Sequence, residues 1–278
     1  MKNIVFDLDG TILEEDKTIS LETFECIKQL SNENIITVAT GRSMIGIPSS
    51  LVPIHKFISY IITSNGTTIY DSNRKVIYKD RISFEEASAI LARIIEIPHT
   101  IVEVLADGDW HIFEKDAERF QCLGLSDSVL QYIKKTRIKH KNLIKYINDS
   151  NTNVEKFSVN ICDASFTDEI FSHLDCILND YNLRYFSENP HKIDIFKSNV
   201  SKSKALQFLS EFIGISLENT VAFGNDDNDV DMFKACGKSI CMPYATKEAR
   251  LNSDIVLRKN DSKRIMRAVN YLRKQKEI

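Results

Sequence analysis

Short apolar runs of strand length alternate along this chain with stretches in which apolar residues recur every third or fourth position. Residues 2–6 read as a buried strand that stops at Asp7-Leu8-Asp9-Gly10-Thr11. Residues 21–32 read as a helix, with Phe24, Ile27 and Leu30 on one face and Ser20 as its cap. Residues 35–39 form a second predicted strand, ending at Thr40-Gly41-Arg42-Ser43, and residues 60–62 a third, ending at Thr63-Ser64-Asn65-Gly66. Strands and helices that alternate in this way predict an α/β fold with a parallel, doubly wound (Rossmann-like) sheet.

The texture changes near residue 80. Ser83-Phe84-Glu85-Glu86 is a capping box before a helix at 87–95. Residues 101–105 and 110–113 flank Ala106-Asp107-Gly108-Asp109, a hairpin signal. A strand at 155–161, a helix near 167–179 and a strand around 184–186 follow. The pattern predicts an inserted α+β module over 81–188, carried by a discontinuous core made of 1–80 and 189–278. In the second core segment, 203–213 reads as a helix. Residues 220–223 read as a strand ending in Gly224-Asn225-Asp226-Asp227-Asn228-Asp229, and 239–242 and 254–257 as two short last strands.

Composition narrows the function. The 278 residues carry a net charge of -3, with 43% hydrophobic and 27% charged residues, as a soluble globular chain does. That balance offers no basic field for nucleic acid. The basic residues from Lys263 to Lys276 lie on a predicted last helix, as a solvated face. No apolar run is long enough to span a membrane, and the start of the chain does not read as a signal peptide. The six cysteines (26, 122, 162, 176, 236 and 241) show no paired spacing and are expected to be reduced core thiols of a cytoplasmic protein.

The chemistry gathers at strand ends. Asp7 and Asp9 alternate onto one side of their strand, and Gly10 lets the chain turn away. Two carboxylates this close call for a cation or a shared proton. A calcium loop is excluded, because the residues after Gly10 lack the alternating oxygen ligands and the closing Glu. Polar clusters also end three other apolar strands, at Thr40/Arg42, at Asn65 and at Asn225/Asp226/Asp229. In a parallel sheet such ends form the ligand site. Many carboxylates and hardly any histidine favour Mg²⁺ completed by phosphate oxygens.

These motifs, in this order, resemble the haloacid dehalogenase (HAD) superfamily phosphatases of the Cof-type branch, subclass IIB, over essentially the whole chain. The resemblance implies a HAD core with an inserted α/β cap that selects substrate. It implies that Asp7 is the nucleophile and forms an aspartyl-phosphate, and that Asp9 is the acid and base. Thr40 and Lys202 complete the catalytic set, with Lys197 and Lys204 as competitors for the lysine's place. Thr40, Gly41, Arg42, Asn65, Lys202 and Asn228 would bind substrate. Asp7, Asp9, Asn225 and Asp229 would hold Mg²⁺.

Two departures stand out. The family's usual Asp at the second position of its fourth motif is Asn225 here, which removes a charge from the metal site. Where relatives often show Gly-Asn-Ala, this chain has Pro243-Tyr244-Ala245. The expected function is Mg²⁺-dependent hydrolysis of a small phosphorylated metabolite, such as a sugar phosphate. A phosphomutase and a catalytically weak metabolite sensor are the alternatives. In the cap, Trp110, His111, Arg184, Asn189 and His191 are candidates for selecting substrate, too scattered to choose among. The oligomeric state is open.

Overall fold

The computed structural model describes residues 1–189 and 191–278, with Glu188 and Asn189 described by backbone alone. The chain divides into two compact units, Met1–Lys79 with Val200–Ile278, and Asp80–Asn199.

The first unit is built on an eight-stranded sheet. Its strands run in the order Ile255–Val256, Lys238–Cys241, Thr220–Gly224, Asn3–Phe6, Ile35–Ala39, Tyr60–Thr63, Thr68–Asp71 and Val76–Lys79. Neighbours from Ile255–Val256 to Tyr60–Thr63 pair in parallel, and the last two strands are antiparallel. The α/β architecture is thus the one the alternating pattern predicts.

Asn3–Phe6 lies in the middle and is buried on both faces, as its apolar run Ile4-Val5-Phe6 requires. Ile4 and Phe6 pack with helices Leu21–Leu30 and Arg264–Lys274, and Phe6 stacks on Phe223 at 4.8 Å. Val5 faces the opposite layer, with Leu206 and Leu209 of helix Lys202–Ile213 and Phe233 of Val230–Ala235. The expected cap at Ser20 forms, accepting from Thr23 N, and Ser201 caps the helix that Lys202 opens by accepting from Lys204 N at 3.1 Å.

The second unit holds a six-stranded sheet in the order Leu183–Asn189, Lys192–Lys197, Val154–Ile161, Thr100–Ala106, Asp109–Phe113, Arg137–His140. All pairs are antiparallel except the last. Helices Phe84–Ile94, Leu143–Ser150 and Thr167–Leu178 cover one face through Leu91, Ile147 and Leu174. Ser83 caps the first of them. The hairpin turns through Asp107 and Gly108, both at positive φ (50° and 87°), as the Asp-Gly pair demands.

Two expectations are corrected. The second unit ends at Asn199 and not at 188, because Lys192–Lys197 pairs with Val154–Ile161. Two of the six cysteines are not free thiols: Cys122 and Cys162, forty positions apart, are joined in a disulfide with their Cα atoms 5.1 Å apart. Sequence spacing hides this pairing, since only the sheet brings the end of Val154–Ile161 beside the segment Arg119–Leu123. Cys26, Cys176, Cys236 and Cys241 are free. Among the described residues, no helix is long and apolar enough to cross a membrane.

Candidate active site

Adjacent parallel strands deliver the polar ends to one edge of the sheet. Asn3–Phe6 leads to Asp7, and its neighbours Thr220–Gly224 and Ile35–Ala39 lead to Asn225 and Thr40. Tyr60–Thr63, next in order, leads to Ser64-Asn65-Gly66. Asp7 N continues the ladder to Phe223 O at 2.9 Å before the chain turns at Gly10, whose φ is 73°. The turn also needs glycine for room: a methyl group on Gly10 would lie 2.7 Å from the Asn225 side chain.

Lys202 opens a helix and is buried completely. Its Nζ donates to Asp7 Oδ1 and to Asp229 Oδ1, each at 2.7 Å. The other Asp229 oxygen accepts from Asn225 N (2.8 Å) and Asp226 N (3.1 Å). Burial drives the Asp7 carboxyl up to about 7, helped by the charges of Asp229 and Asp9, while Lys202 opposes the rise. Burial alone would lower Lys202, but the two carboxylates outweigh it and hold the ammonium well above the usual lysine range. The cation therefore persists between its two partners. Lys197 bonds to Asp80 within the second unit and Lys204 is exposed, so neither rival occupies this place.

Asp9 meets different neighbours. Arg42 grips both its oxygens, Nε to Oδ2 at 2.5 Å and Nη2 to Oδ1 at 2.8 Å, and Lys17 Nζ adds 2.9 Å to Oδ1. Partial burial pushes the Asp9 carboxyl up, yet Arg42 and then Lys17 outweigh it and hold the group below the usual carboxylate range.

One end of the Asn225 carboxamide lies 2.7 Å from the Asp9 carbonyl oxygen, 3.3 Å from Asp7 Oδ2 and 2.9 Å from Thr11 Oγ1. With its NH₂ group there, the amide donates to all three. With its oxygen there, it takes the Thr11 hydroxyl at 2.9 Å and faces two further acceptors. An oxygen among oxygens is the donor set a hard divalent cation asks for, so the residues fit Mg²⁺ with one carboxylate, one carbonyl and one amide. Among the described residues no group of three His, Cys, Asp or Glu is placed to hold a metal. Asp229, expected among the metal ligands, turns one oxygen to Lys202 and the other to the backbone of Asn225 and Asp226.

Thr40 is buried, and its hydroxyl accepts from Arg42 N at 3.1 Å. Asn65 N donates to Thr40 O at 3.0 Å, and Asn65 adopts the left-handed conformation (φ 58°) that asparagine tolerates. Asn228 Nδ2 donates to Asn65 Oδ1 at 3.1 Å, and Asn228 Oδ1 is a buried acceptor with no hydrogen-bond donor. A methyl group on Gly41 would come within 3.0 Å of Asn65 Oδ1. The structure thus brings the expected catalytic, phosphate-binding and metal residues into this one unit, whereas the substrate-selecting candidates Trp110, His111, Arg184, Asn189 and His191 belong to the second. Sequence reasoning missed Lys17 and Thr11. Thr11 lies inside the Asp-x-Asp-Gly-Thr run and could have been found there. Lys17 carries no local signal.

A family model for haloacid dehalogenase-like hydrolases matches residues 4–269, and the chain belongs to that family. YwtE of Bacillus subtilis (strain 168), a 5-amino-6-(5-phospho-D-ribitylamino)uracil phosphatase, is 26% identical over 287 residues, covering 98% of both chains. A haloacid dehalogenase-like hydrolase from Bacteroides thetaiotaomicron has a crystal structure that matches with a TM-score of 0.81 at 21% identity, over 98% of this chain and 99% of that one. A HAD subclass IIB sugar phosphatase matches over the full length of both chains, with a TM-score of 0.76 and 21% identity. The chain is an enzyme of this family, a phosphatase.

Proposed function

We propose that the protein hydrolyses a small phosphorylated metabolite, such as a sugar phosphate, with Mg²⁺ and through an aspartyl-phosphate on Asp7. The observation that carries this reading is the buried Asp7–Lys202–Asp229 relay beside the oxygens of Asn225 and Asp9. Mg²⁺ would be held by the Asp7 carboxylate, the Asp9 carbonyl and the Asn225 amide oxygen, with Asp229 fixing the backbone of Asn225. When bound, it offsets the repulsion between the nucleophile and the phosphoryl oxygens.

The residues then divide the work. An Asp7 oxygen attacks phosphorus, the bond from phosphorus to the ester oxygen breaks, and that oxygen takes a proton from Asp9, which has to pick it up from solvent beforehand because Arg42 and Lys17 favour its ionised form. A water next attacks phosphorus and gives a proton back to Asp9. The Asp7–phosphorus bond breaks, which restores the carboxylate and releases inorganic phosphate. Lys202 balances charge that spreads over the equatorial oxygens, and the Thr40 hydroxyl donates to one of them. Gly41, Arg42, Asn65 and Asn228 line the phosphate side; the acceptor at Asn228 Oδ1 suits a hydroxyl donor. The second unit, Asp80–Asn199, acts as the module that selects the leaving group.

Phosphate release from sugar, nucleotide and cofactor phosphates, with and without Mg²⁺, tests the proposal. Wild type should turn over at least one class only with Mg²⁺, and Asp7→Asn none. The amide at Asn225 and the gripped Asp9 favour one rival, a weakly catalytic sensor. It predicts ligand binding with no release at high Mg²⁺.

A further inference from the structure

Lys17 sits in a tight loop with φ of 64°, a left-handed conformation that an L residue adopts only where neighbours enforce it. Lys17 N donates to Glu14 O at 2.9 Å and Ser50 Oγ donates to Lys17 O at 2.5 Å, and these bonds hold the turn. The result is an ammonium aimed at Asp9 Oδ1. Together with Arg42, it leaves both Asp9 oxygens covered by cationic donors. Oδ1 accepts two donors, one for each lone pair, whereas Oδ2 accepts from Arg42 alone, so Oδ1 can serve an ester oxygen or a water only when one of its two donors lets go.

Arg42 is the wrong one to move. It holds Asp9 by a two-nitrogen fork, its Nη1 is tied to Gly46 O at 2.8 Å, and its backbone carbonyl accepts from Ser64 N at 2.8 Å. Lys17 offers a single bond from a flexible stem, with its side chain 52% exposed. It also lines a cleft of about 270 Å³ together with Gly10, Glu15, Asn225 and Tyr244. An ester oxygen served by Asp9 Oδ1 lies at most two hydrogen-bond lengths, roughly 6 Å, from Nζ. A hydroxyl next to that ester oxygen therefore falls within reach of the ammonium.

We propose that Lys17 is a latch on Asp9 and a positioning residue for the reaction: it releases the carboxylate when a hydroxyl beside the ester oxygen takes up its ammonium. Phosphomonoesters of polyols are then turned over in preference to those of simple alkanols. The inference rests on the reading of Asp9 as the proton donor.

The test compares kcat/KM for glycerol 1-phosphate and for propyl phosphate, which lacks the hydroxyls. Wild type should prefer the polyol ester by about tenfold, the worth of one charge-assisted hydrogen bond. Lys17→Met should bring the two within about twofold through a gain in kcat on propyl phosphate, while Lys17→Arg keeps the preference. A preference absent from wild type, or one that survives in Lys17→Met, overturns the latch. Release from neither ester overturns the latch, and release that persists in Asp7→Asn overturns the aspartyl-phosphate reading and the latch with it. Release that needs Asp7 but shows an unmoved ratio overturns the latch alone.

Discussion

Lys202 and Asp229 form an ion pair with both side chains sealed from solvent, Nζ to Oδ1 at 2.7 Å. Such a pair stabilises little against water, but its cation cannot be removed cheaply. Lys202→Met leaves Asp7 and Asp229 buried with no counter-charge. It should lower stability by about 3–5 kcal/mol in urea unfolding and lower kcat by at least about a hundredfold. Adding Asp229→Asn should restore part of the stability and none of the activity. Equal stability of the single and double variants would argue against the pair.

Asn225 sets the charge of the cation site. Asn225→Asp adds a carboxylate where the carboxamide now meets the Asp9 carbonyl and Asp7 Oδ2. Titration calorimetry should show Mg²⁺ bound about tenfold tighter or better, and thermal unfolding without Mg²⁺ should fall because like charges then crowd. Unchanged affinity would place the metal away from Asn225.

Gly66 holds the start of the lysine helix by its lack of a side chain. Its φ is 110°, and a methyl group there would lie 2.2 Å from the Ser201 carbonyl oxygen. Gly66→Ala should cost about 2–4 kcal/mol and lower kcat more than it raises KM, because the start of the Lys202 helix has to shift. Urea midpoints and steady-state kinetics on one preparation would check both effects.

The second unit carries a pH dependence of its own. His111 Nδ1 and His140 Nε2 are 2.9 Å apart, and both rings stack with Tyr146. Burial, then the neighbouring His140, holds His111 below the usual imidazole value of 6.5, and burial does the same to His140. A depressed histidine stabilises the folded state fully above that value and loses this contribution as the pH falls through the folded value. Melting temperature should therefore drop from pH 7.5 to pH 5, and less so in His111→Phe. A drop of equal size in both would assign it to other groups.

Much of the core was legible because its signals are local. The run Ile35–Ala39 is apolar but for Thr37 and bounded by polar residues, so the strand falls where the pattern puts it. Ser20 and Ser83 cap helices by a rule that spans a few residues. The antiparallel strands Thr68–Asp71 and Val76–Lys79 escaped because they are short, mixed in character and close an edge. Arg137–His140 has hardly any apolar residue and is a strand only because Asp109–Phe113 pairs with it. The site residues could be found by their order in the chain. What they touch could not, since the grip of Lys17 on Asp9 and the Cys122–Cys162 link depend on chain segments meeting in space.

The two seams of the insertion are not equivalent. The outgoing one, Lys79 to Asp80, follows an edge strand that bears no site residue, whereas the returning one, Asn199 to Val200, stands immediately ahead of Ser201 and Lys202. An exchange of the whole module for another can therefore be cut freely at its first joint. At its second joint, the graft must keep Val200-Ser201-Lys202 in register, or the recipient loses its buried cation along with the old specificity.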